Sequence, residues 1–198
     1  MTDFSRAAAA LIGGYALGSV PVAVLAGRTQ GFDPRQAGDR NPGFWNVKEL
    51  AGWSGALPVL AGDALKGTAA GLLGRALGGR DLAAAAVAAA MAGHAWPAFA
   101  GLRGGRSVLT FAGGFAVLCP PAAAAGVTVC AATTLVTGSF AVGARTAVFT
   151  APLLQLAFQP PREVAVTGAL MSFIGFRFAT AALNRRHRAA GPARPAGR

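Results

Sequence analysis

The sequence predicts an all-α integral membrane protein with about seven transmembrane helices, an N-terminus outside the cell and a C-terminus in the cytoplasm. Of its 198 residues, 54% are hydrophobic and 13% are charged, whereas a soluble domain carries about 25% charged residues. Mean hydropathy is +0.48. The net charge of +11 would indicate nucleic acid in a polar chain, but here the basic residues are scattered between apolar runs. We therefore expect the lipid bilayer, not nucleic acid, as the acidic partner.

Each predicted helix is an apolar stretch that approaches the roughly 20 residues needed to cross a bilayer core about 30 Å thick. The seven stretches are residues 7–27, 51–73, 82–101, 107–119, 121–137, 144–158 and 163–183. The first follows Arg6 and ends in small residues, which leaves open a cleaved signal peptide, although it exceeds the apolar core of about 7 to 15 residues in such peptides.

Glycines and prolines refine these elements. Gly14 and Gly18 in the first helix, and Gly67 and Gly71 in the second, are four residues apart, a spacing that suits close helix contact. The prolines at 120–121 favour a break between the fourth and fifth helices, because proline removes a backbone donor and clashes with the preceding turn. A single kinked helix over residues 107–137 remains an alternative.

The distribution of Lys and Arg sets the orientation. With the N-terminus outside, twelve of them fall in cytoplasmic segments and four in outer ones. Residues 1–183 form one predicted transmembrane domain. Residues 184–198 are rich in Arg, Pro, Ala and Gly and predict a disordered basic tail in the cytoplasm, lying on the anionic inner leaflet. The two cysteines, Cys119 and Cys130, lie in apolar stretches and predict neither disulfides nor a metal site.

Three helices, which begin near Val47, Ser107 and Ala144, direct their N-termini toward the cytoplasm in this topology. Helix N-termini carry free N–H groups and partial positive charge, and they bind anions. The loops before the first two of these helices hold glycines and arginines, and the first loop also holds amides. Glycines let a backbone approach a phosphate, and arginines can bind it bidentately. These residues are Arg40, Asn41, Gly43 and Asn46 in the first loop, and Gly104, Gly105 and Arg106 in the second. The alternative is that both loops are ordinary turns that obey the positive-inside bias.

Ionisable residues inside the predicted helices are a second candidate site. Asp63 and Lys66 lie three residues apart on one helix face near mid-membrane, where a charge costs about 2.5 to 3.5 kcal/mol and usually pairs or lines a polar cavity. Both a structural ion pair and a substrate site remain open. His94 is either a satisfied polar contact or a base. Trp53, together with the aromatics at 96 and 99, is expected at the membrane interface.

In this order, the motifs resemble those of the bacterial acyl-phosphate-dependent glycerol-3-phosphate acyltransferases, a seven-helix integral membrane family, from about residue 18 to residue 177. The motifs in chain order are Gly18-Ser19-Val20-Pro21, Asp33-Pro34-Arg35, Gly38-x-x-Asn41-Pro42-Gly43-x-x-Asn46-Val47, Asp63-x-x-Lys66-Gly67, Gly93-His94-x-Trp96-Pro97-x-Phe99, Gly104-Gly105-Arg106, and the glycines Gly138 and Gly143. The resemblance implies transfer of an acyl chain from acyl phosphate to glycerol 3-phosphate, or a related acceptor, to give lysophosphatidic acid for phospholipid biosynthesis in the bacterial inner membrane.

The resemblance also implies roles for individual residues, with no cofactor and no metal. His94 and Lys66 are the expected catalytic residues. The expected substrate-binding residues are Arg35, Arg40, Asn41, Gly43, Asn46, Gly104, Gly105, Arg106 and Arg177. Holding two phosphates, neutralising the departing one and orienting a hydroxyl suffices for this chemistry. The sequence leaves acyl length and oligomeric state open.

Several polar positions depart from the family pattern. Where the family has Gly-Ser-Gly-Asn and later Ala-Thr-Asn, this chain has Asp39 and Arg40, then Phe44 and Trp45; further departures are Arg106 with Ser107, Ala141, Phe178 and Ala181. A carboxylate 4 Å from a phosphate charge costs about 4 kcal/mol at an effective dielectric of about 20, so we expect Arg40 or Arg35 to neutralise Asp39. The alternative functions are a catalytically impaired paralogue that binds lipid precursors or a partner without turnover, and a small-anion transporter that uses Asp63 and Lys66.

Overall fold

The computed structural model describes the backbone of residues 1–190 and the side chains of residues 1–184. Every regular element in this part of the chain is helical, which confirms the all-α class. The elements are α1 (Asp3–Gly18), α2 (Val22–Thr29), α3 (Phe44–Ala95), a 3₁₀ turn (Ala98–Ala100), α4 (Val108–Leu118), α5 (Pro120–Thr137), α6 (Phe140–Leu156) and α7 (Pro161–Ala190). Helix α7 runs past the predicted end at residue 183, because its last residues are mainly Ala and Arg, both good helix formers. The remainder of the predicted tail, residues 191–198, lies outside the described residues.

Four helical stretches in the described part are long and apolar enough to cross a membrane. They are Asp3–Thr29, Phe44–Ala100, Pro120–Thr137 and Pro161–Asn184. Two further apolar helices, Val108–Leu118 and Phe140–Leu156, are shorter. The chain is therefore that of an integral membrane protein built from several apolar helices.

The first predicted helix is interrupted. Helix α1 ends at Gly18 and α2 begins at Val22, so the prediction of one continuous helix over residues 7–27 is wrong at this point. Pro21 has no N–H and cannot continue the hydrogen-bond ladder of α1. The buried Ser19 side chain accepts a hydrogen bond from the N–H of Ala98 at 3.3 Å, which fixes the break against the end of α3.

Non-helical glycines interrupt helix α3 at two places, so it consists of three helical segments. Gly52 has φ +68°, and Gly78 and Gly79 also leave the helical region, Gly79 with φ +76°. We call the segments α3a (residues 44–51), α3b (53–77) and α3c (80–95). Segments α3b and α3c fold back on each other and approach so closely that a Cβ added to Gly74 would overlap the carbonyl oxygen of Leu82. The predicted second and third helices are thus joined by a glycine pair.

The predicted break between the fourth and fifth helices is confirmed at Cys119, the residue before Pro120. It leaves the last carbonyls of α4 without helical partners. Arg75 donates to the carbonyl of Val117 at 3.2 Å, and the carbonyl of Leu118 accepts from Arg80 at 3.2 Å and Gln159 at 2.8 Å. These donors, two of them cationic, satisfy a helix C-terminus and its negative dipole end.

Small residues set the contacts between helices. A Cβ on Gly14 or Gly18 would overlap the backbone of α3c, and one on Gly67 would overlap the carbonyl of Thr110 in α4. The predicted close helix contacts are confirmed at these glycines. Apolar side chains from α3c, α4, α5, α6 and α7 form a separate core cluster, whose larger members include Val87, Met91, Phe111, Phe115, Leu170 and Ile174.

An aromatic cluster joins the start of α3 to the start of α6. The ring of Phe140 lies 6.0 Å from Phe44, 5.7 Å from Trp45 and 5.6 Å from Trp53. The amine of Lys48 lies 4.9 Å from the Trp53 ring centroid, within cation–π range. Phe44 and Trp45, two departures from the family pattern, thus replace small and hydroxyl side chains with apolar contacts between elements.

Candidate active site

The loop between α2 and α3a is organised by one buried amide. The Asn46 side chain is 1% exposed. Its Nδ2 donates to the carbonyls of Pro34 at 2.9 Å and Ala37 at 3.0 Å, and its Oδ1 accepts from the N–H of Asp39 at 3.0 Å. Since both amide donors and the carbonyl are occupied, Asn46 shapes the loop. A contact of Asn46 with a substrate stays a prediction.

Arg35 is held at the edge of the same loop. Its guanidinium forms a two-point pair with Asp33, with Nη2–Oδ2 at 2.6 Å and Nε–Oδ1 at 2.9 Å, and Nη1 donates to the carbonyl of Ala100 at 3.0 Å. The hydrogen bonds from Arg35 hold the pKa of Asp33 at about 2, below its ordinary value of 3.8. This pair fastens the loop to the 3₁₀ turn.

A cavity opens between this loop, the loop before α4 and the C-terminal half of α7. Its lining residues are Asp39, Arg40, Asn41, Gly104, Arg106, Arg177, Thr180, Ala181 and Asn184; we call it the arginine cavity. Its volume is about 170 Å³. A water molecule occupies about 30 Å³ in the liquid and pockets for drug-sized ligands measure about 300 to 1,000 Å³, so the arginine cavity has room for a small polar molecule.

Arg106 pairs with Asp39 across the arginine cavity. Its Nη2 lies 3.3 Å from Oδ2 of Asp39, and its guanidinium stacks over the ring of Phe178, 4.7 Å from the centroid. The expectation that Arg40 or Arg35 neutralises Asp39 is corrected here: Arg106 makes the contact, and Arg35 is already bound to Asp33. Three arginines and one carboxylate leave the lining with a formal charge of +2.

Arg177 supports the wall of the arginine cavity. Its Nε and Nη2 donate to the carbonyl of Gly105 at 3.3 and 3.2 Å, and its guanidinium lies over the ring of Trp96, 5.0 Å from the centroid. Stacking and several donors in one fixed fork are characteristic of arginine. Arg177 therefore lines the cavity and also fixes the position of the loop before α4.

A second, narrow cleft of about 10 Å³ lies on the other side of that loop. Among the residues that line it are Val20, Pro42, Asp63, Lys66, His94, Arg103, Gly104 and Gly105; we call it the lysine cleft. Nζ of Lys66 lies 2.8 Å from Oδ1 of Asp63 and donates to the carbonyl of Val20 at 3.1 Å. Nδ1 of His94 lies 3.5 Å from the same carboxylate oxygen. An ion pair between Asp63 and Lys66, one of the two alternatives left open by the sequence, is present, and His94 lies next to it.

The two glycines before Arg106 use their N–H groups for hydrogen bonds within the protein. The N–H of Gly104 donates to the carbonyl of Ala95 at 3.2 Å, and that of Gly105 to the carbonyl of His94 at 3.1 Å. These N–H groups are therefore not free to bind a phosphate. A Cβ on Gly104 would overlap the carbonyl of His94, and one on Gly105 would overlap its Nε2. Glycine is required here because the loop packs directly on the histidine.

The structure thus gathers most of the predicted site around one loop. Arg40, Asn41, Gly104, Arg106 and Arg177 line the arginine cavity, whereas Lys66, His94, Gly104 and Gly105 line the lysine cleft. Three other predicted residues line neither: Arg35, Asn46 and Gly43, the last being the N-cap of α3. Within the described residues, no group of three histidine, cysteine or acidic side chains could hold a metal ion.

Sequence reasoning did not assign a site role to Thr180 or Asn184, which line the arginine cavity, and it treated Asp39 only as a source of repulsion. For Asp39 a signal existed, because a carboxylate flanked by arginine and asparagine in a loop proposed to bind anions calls for a specific role. Thr180 and Asn184 follow Arg177 at helical spacing and share its face of α7, which a helical projection from Arg177 could have revealed.

Comparison with known proteins gives a consistent result. A family model described as glycerol-3-phosphate acyltransferase matches residues 8–189. A glycerol-3-phosphate acyltransferase of Rubrobacter xylanophilus is 50% identical over 109 residues, 54% of this chain and 55% of the relative, so this match spans about half of each. Glycerol-3-phosphate acyltransferase 2 of Moorella thermoacetica is 38% identical over 77% of this chain and 79% of its own length. An enzyme of the same name from Neisseria meningitidis is 42% identical over 74% and 76%.

Two solved structures share the fold. The crystal structure of PlsY, an integral membrane glycerol 3-phosphate acyltransferase in its glycerol 3-phosphate form, matches with a TM-score of 0.77 and 26% identity, covering 95% of both chains. The lysophosphatidic acid form of PlsY matches with a TM-score of 0.75 and 25% identity over 94% of both chains.

Proposed function

This chain belongs to the glycerol-3-phosphate acyltransferase family, and on that premise we propose that it transfers an acyl chain from acyl phosphate to glycerol 3-phosphate, giving lysophosphatidic acid and inorganic phosphate. The proposal is supported by the match of the family model to residues 8–189 and by the arginine cavity, which offers cationic side chains and a volume suited to a small phosphorylated acceptor. The reaction is a step of phospholipid biosynthesis, and the enzyme acts in the bacterial inner membrane.

The arginine cavity is the proposed binding site of glycerol 3-phosphate. A phosphate monoester carries about −1.5 to −2 charges near pH 7, which complements a lining of formal charge +2. Arg40 and Arg106 supply charge and fork-shaped donors. Asn41 and Thr180 supply neutral hydrogen-bonding groups for the glycerol part.

The mouth of the lysine cleft, beside Arg103, is the proposed site of the acyl phosphate group, because the cleft itself has room for only about one water molecule. Acyl phosphate is an activated mixed anhydride, so the protein has to place it, neutralise the departing phosphate and exclude water. Arg103 at the cleft supplies positive charge. Lys66 and His94, which are grouped around Asp63, form a polar floor beneath the loop.

We assign the topology by the positive-inside rule. The proposal has seven crossings: α1 with α2, α3b, α3c, α4, α5, α6 and α7. The N-terminus is outside and the C-terminus in the cytoplasm. The loops that carry Arg40 and Arg106 are then cytoplasmic, where both phosphorylated substrates occur, and Arg75 and Arg80 face the outer side.

The direct test is an assay of the purified full chain in proteoliposomes with acyl phosphate and glycerol 3-phosphate. We expect stoichiometric lysophosphatidic acid and inorganic phosphate, and a large loss of both with Arg106→Gln. Arg162→Gln is the matched control, since Arg162 is an exposed arginine that pairs with Asp81 at 3.7 Å and is distant from the cavity in the chain. Binding of both substrates by folded protein without product would refute the enzymatic proposal and favour a non-catalytic lipid-binding paralogue.

A further inference from the structure

A carboxylate lies inside a cavity that is proposed to bind an anion. At an effective dielectric of about 20, a carboxylate 4 Å from a phosphate charge weakens binding by about a thousandfold if nothing neutralises it. Asp39 nevertheless lines the arginine cavity, on the same loop as Arg40 and Asn41. Its position therefore calls for a function that outweighs the repulsion.

The loop holds this carboxylate in one orientation. The N–H of Asp39 is bound by Asn46, and Oδ1 of Asp39 accepts the N–H of Asn41 at 2.9 Å. The flanking Gly38 and Arg40 both have φ near +60°, a left-handed conformation that is costly for the arginine. The carboxylate is thus fixed by a tight turn that the buried Asn46 maintains.

The second carboxylate oxygen of Asp39, Oδ2, is bound by Arg106 but stays accessible from the cavity. Oδ2 lies 3.3 Å from Arg106, whose guanidinium is in turn stacked on Phe178. The Asp39 side chain is still 33% exposed. A carboxylate has about four acceptor positions, and the two contacts leave about two of them for hydrogen bonds from a molecule in the cavity.

Resting on the proposed function, we propose that Asp39 is a catalytic residue that binds the attacking hydroxyl of the acceptor and takes its proton. As the hydroxyl oxygen forms a bond to the acyl carbonyl carbon, its proton passes to the Asp39 carboxylate. The bond between the acyl carbon and the phosphate oxygen breaks, and the phosphate departs with the electron pair. Asp39 then releases the proton to water. Positioned general bases contribute typically about 10² to 10⁴ in rate.

The charges around Asp39 are compatible with this role. Arg106 from the loop before α4, Arg40 from its own loop and Arg177 from α7 are the charged groups that share the cavity lining with it; the other polar side chains there, Asn41, Thr180 and Asn184, are neutral. Arg106 is placed to bind the acceptor phosphate on one side and the carboxylate on the other. It thereby separates the two negative groups while keeping the hydroxyl near the base.

Asp39→Asn is the variant that tests the proposal, because it retains size and one acceptor oxygen but not basicity. In the proteoliposome assay we expect kcat to fall about a hundredfold or more, KM for glycerol 3-phosphate to stay level or fall, and the acidic limb of the pH–kcat profile to disappear. Asp81→Asn, at an exposed aspartate that also pairs with an arginine, should leave all three unchanged. A thermal unfolding curve for each variant checks that it is folded.

Three outcomes would overturn the proposal. The first is a folded Asp39→Asn protein with wild-type kcat and pH profile. The second is a change confined to KM, since this would make Asp39 a binding residue only. The third is an Asp39→Ser protein that works as fast as the wild type, because serine restores the family residue without a carboxylate. If the wild-type chain itself forms no lysophosphatidic acid, the proposed function fails and this inference with it; normal wild-type turnover with any of the three outcomes removes the inference alone.

Discussion

Replacing Asn46 with alanine distinguishes a loop organiser from a substrate contact. The side chain makes three hydrogen bonds of 2.9 to 3.0 Å, all to backbone groups of residues 34–39. Each such bond contributes about 1 kcal/mol net, and more where a buried partner is left unsatisfied. We therefore expect Asn46→Ala to lower the free energy of unfolding by about 3 kcal/mol. For a chain of this size, about 2 to 4 °C per kcal/mol gives a fall in Tm of about 6 to 12 °C.

The assay is thermal unfolding of the purified protein in one detergent, followed by circular dichroism, with KM for glycerol 3-phosphate measured at a temperature where both forms are folded. Asn184→Ala is the matched control, because Asn184 is an exposed amide in the arginine cavity; it should raise KM and leave Tm unchanged. A folded Asn46→Ala protein whose Tm stays within about 2 °C of wild type while its KM rises would refute the reasoning, since it would make Asn46 a direct ligand.

Three further predictions concern the loops around the site. The pKa of Asp33 is lowered from 3.8 to about 2 in the folded protein. The pair with Arg35 therefore stabilises the fold above pH 3.8, and this stabilisation is lost as the pH falls toward 2. The free energy of unfolding of Asp33→Asn, measured against pH, should not show this decrease between about pH 4 and 2. Gly105→Ala should lower kcat at least tenfold, because the added methyl would overlap the His94 ring, whereas Gly126→Ala, where nothing lies within 4 Å, should be neutral in the same activity assay. Arg177→Lys should raise KM about tenfold despite the retained charge, because lysine cannot reproduce the planar fork and the stacking; an unchanged KM in steady-state kinetics would contradict this.

Local sequence patterns predicted the helices but not all of their ends. Apolar length located the main helical stretches but not α3a, residues 44–51. Pro120 marked the boundary between α4 and α5 because proline acts on its own backbone. The break at Ser19–Pro21 was missed although Pro21 offered the same signal. The reversal at Gly78–Gly79 lies where a loop was expected, but its tightness depends on how closely Gly74 approaches Leu82, a contact that hydropathy does not encode.

The site residues were predicted from their loops, and the structure brings most of them together around one loop; their roles toward a substrate stay predictions. Arg40, Asn41 and Arg106 were expected together because loops on one side of a bundle converge. The hydrogen bonds of Asn46 and Gly105 were not predicted, because their partners lie 7 to 12 residues away along the chain at positions that depend on the conformation of the loops. Asp39 was expected to be neutralised by an arginine of its own loop, yet its partner is 67 residues away in the sequence.

The loop before α4 separates the arginine cavity from the lysine cleft. Gly104 lines both of them. Arg177 donates to the carbonyl of Gly105, and the His94 ring packs against Gly105. We expect a molecule that displaces Gly104 from the arginine cavity to change the shape of the lysine cleft as well. The affinities of the two proposed substrates should therefore depend on each other.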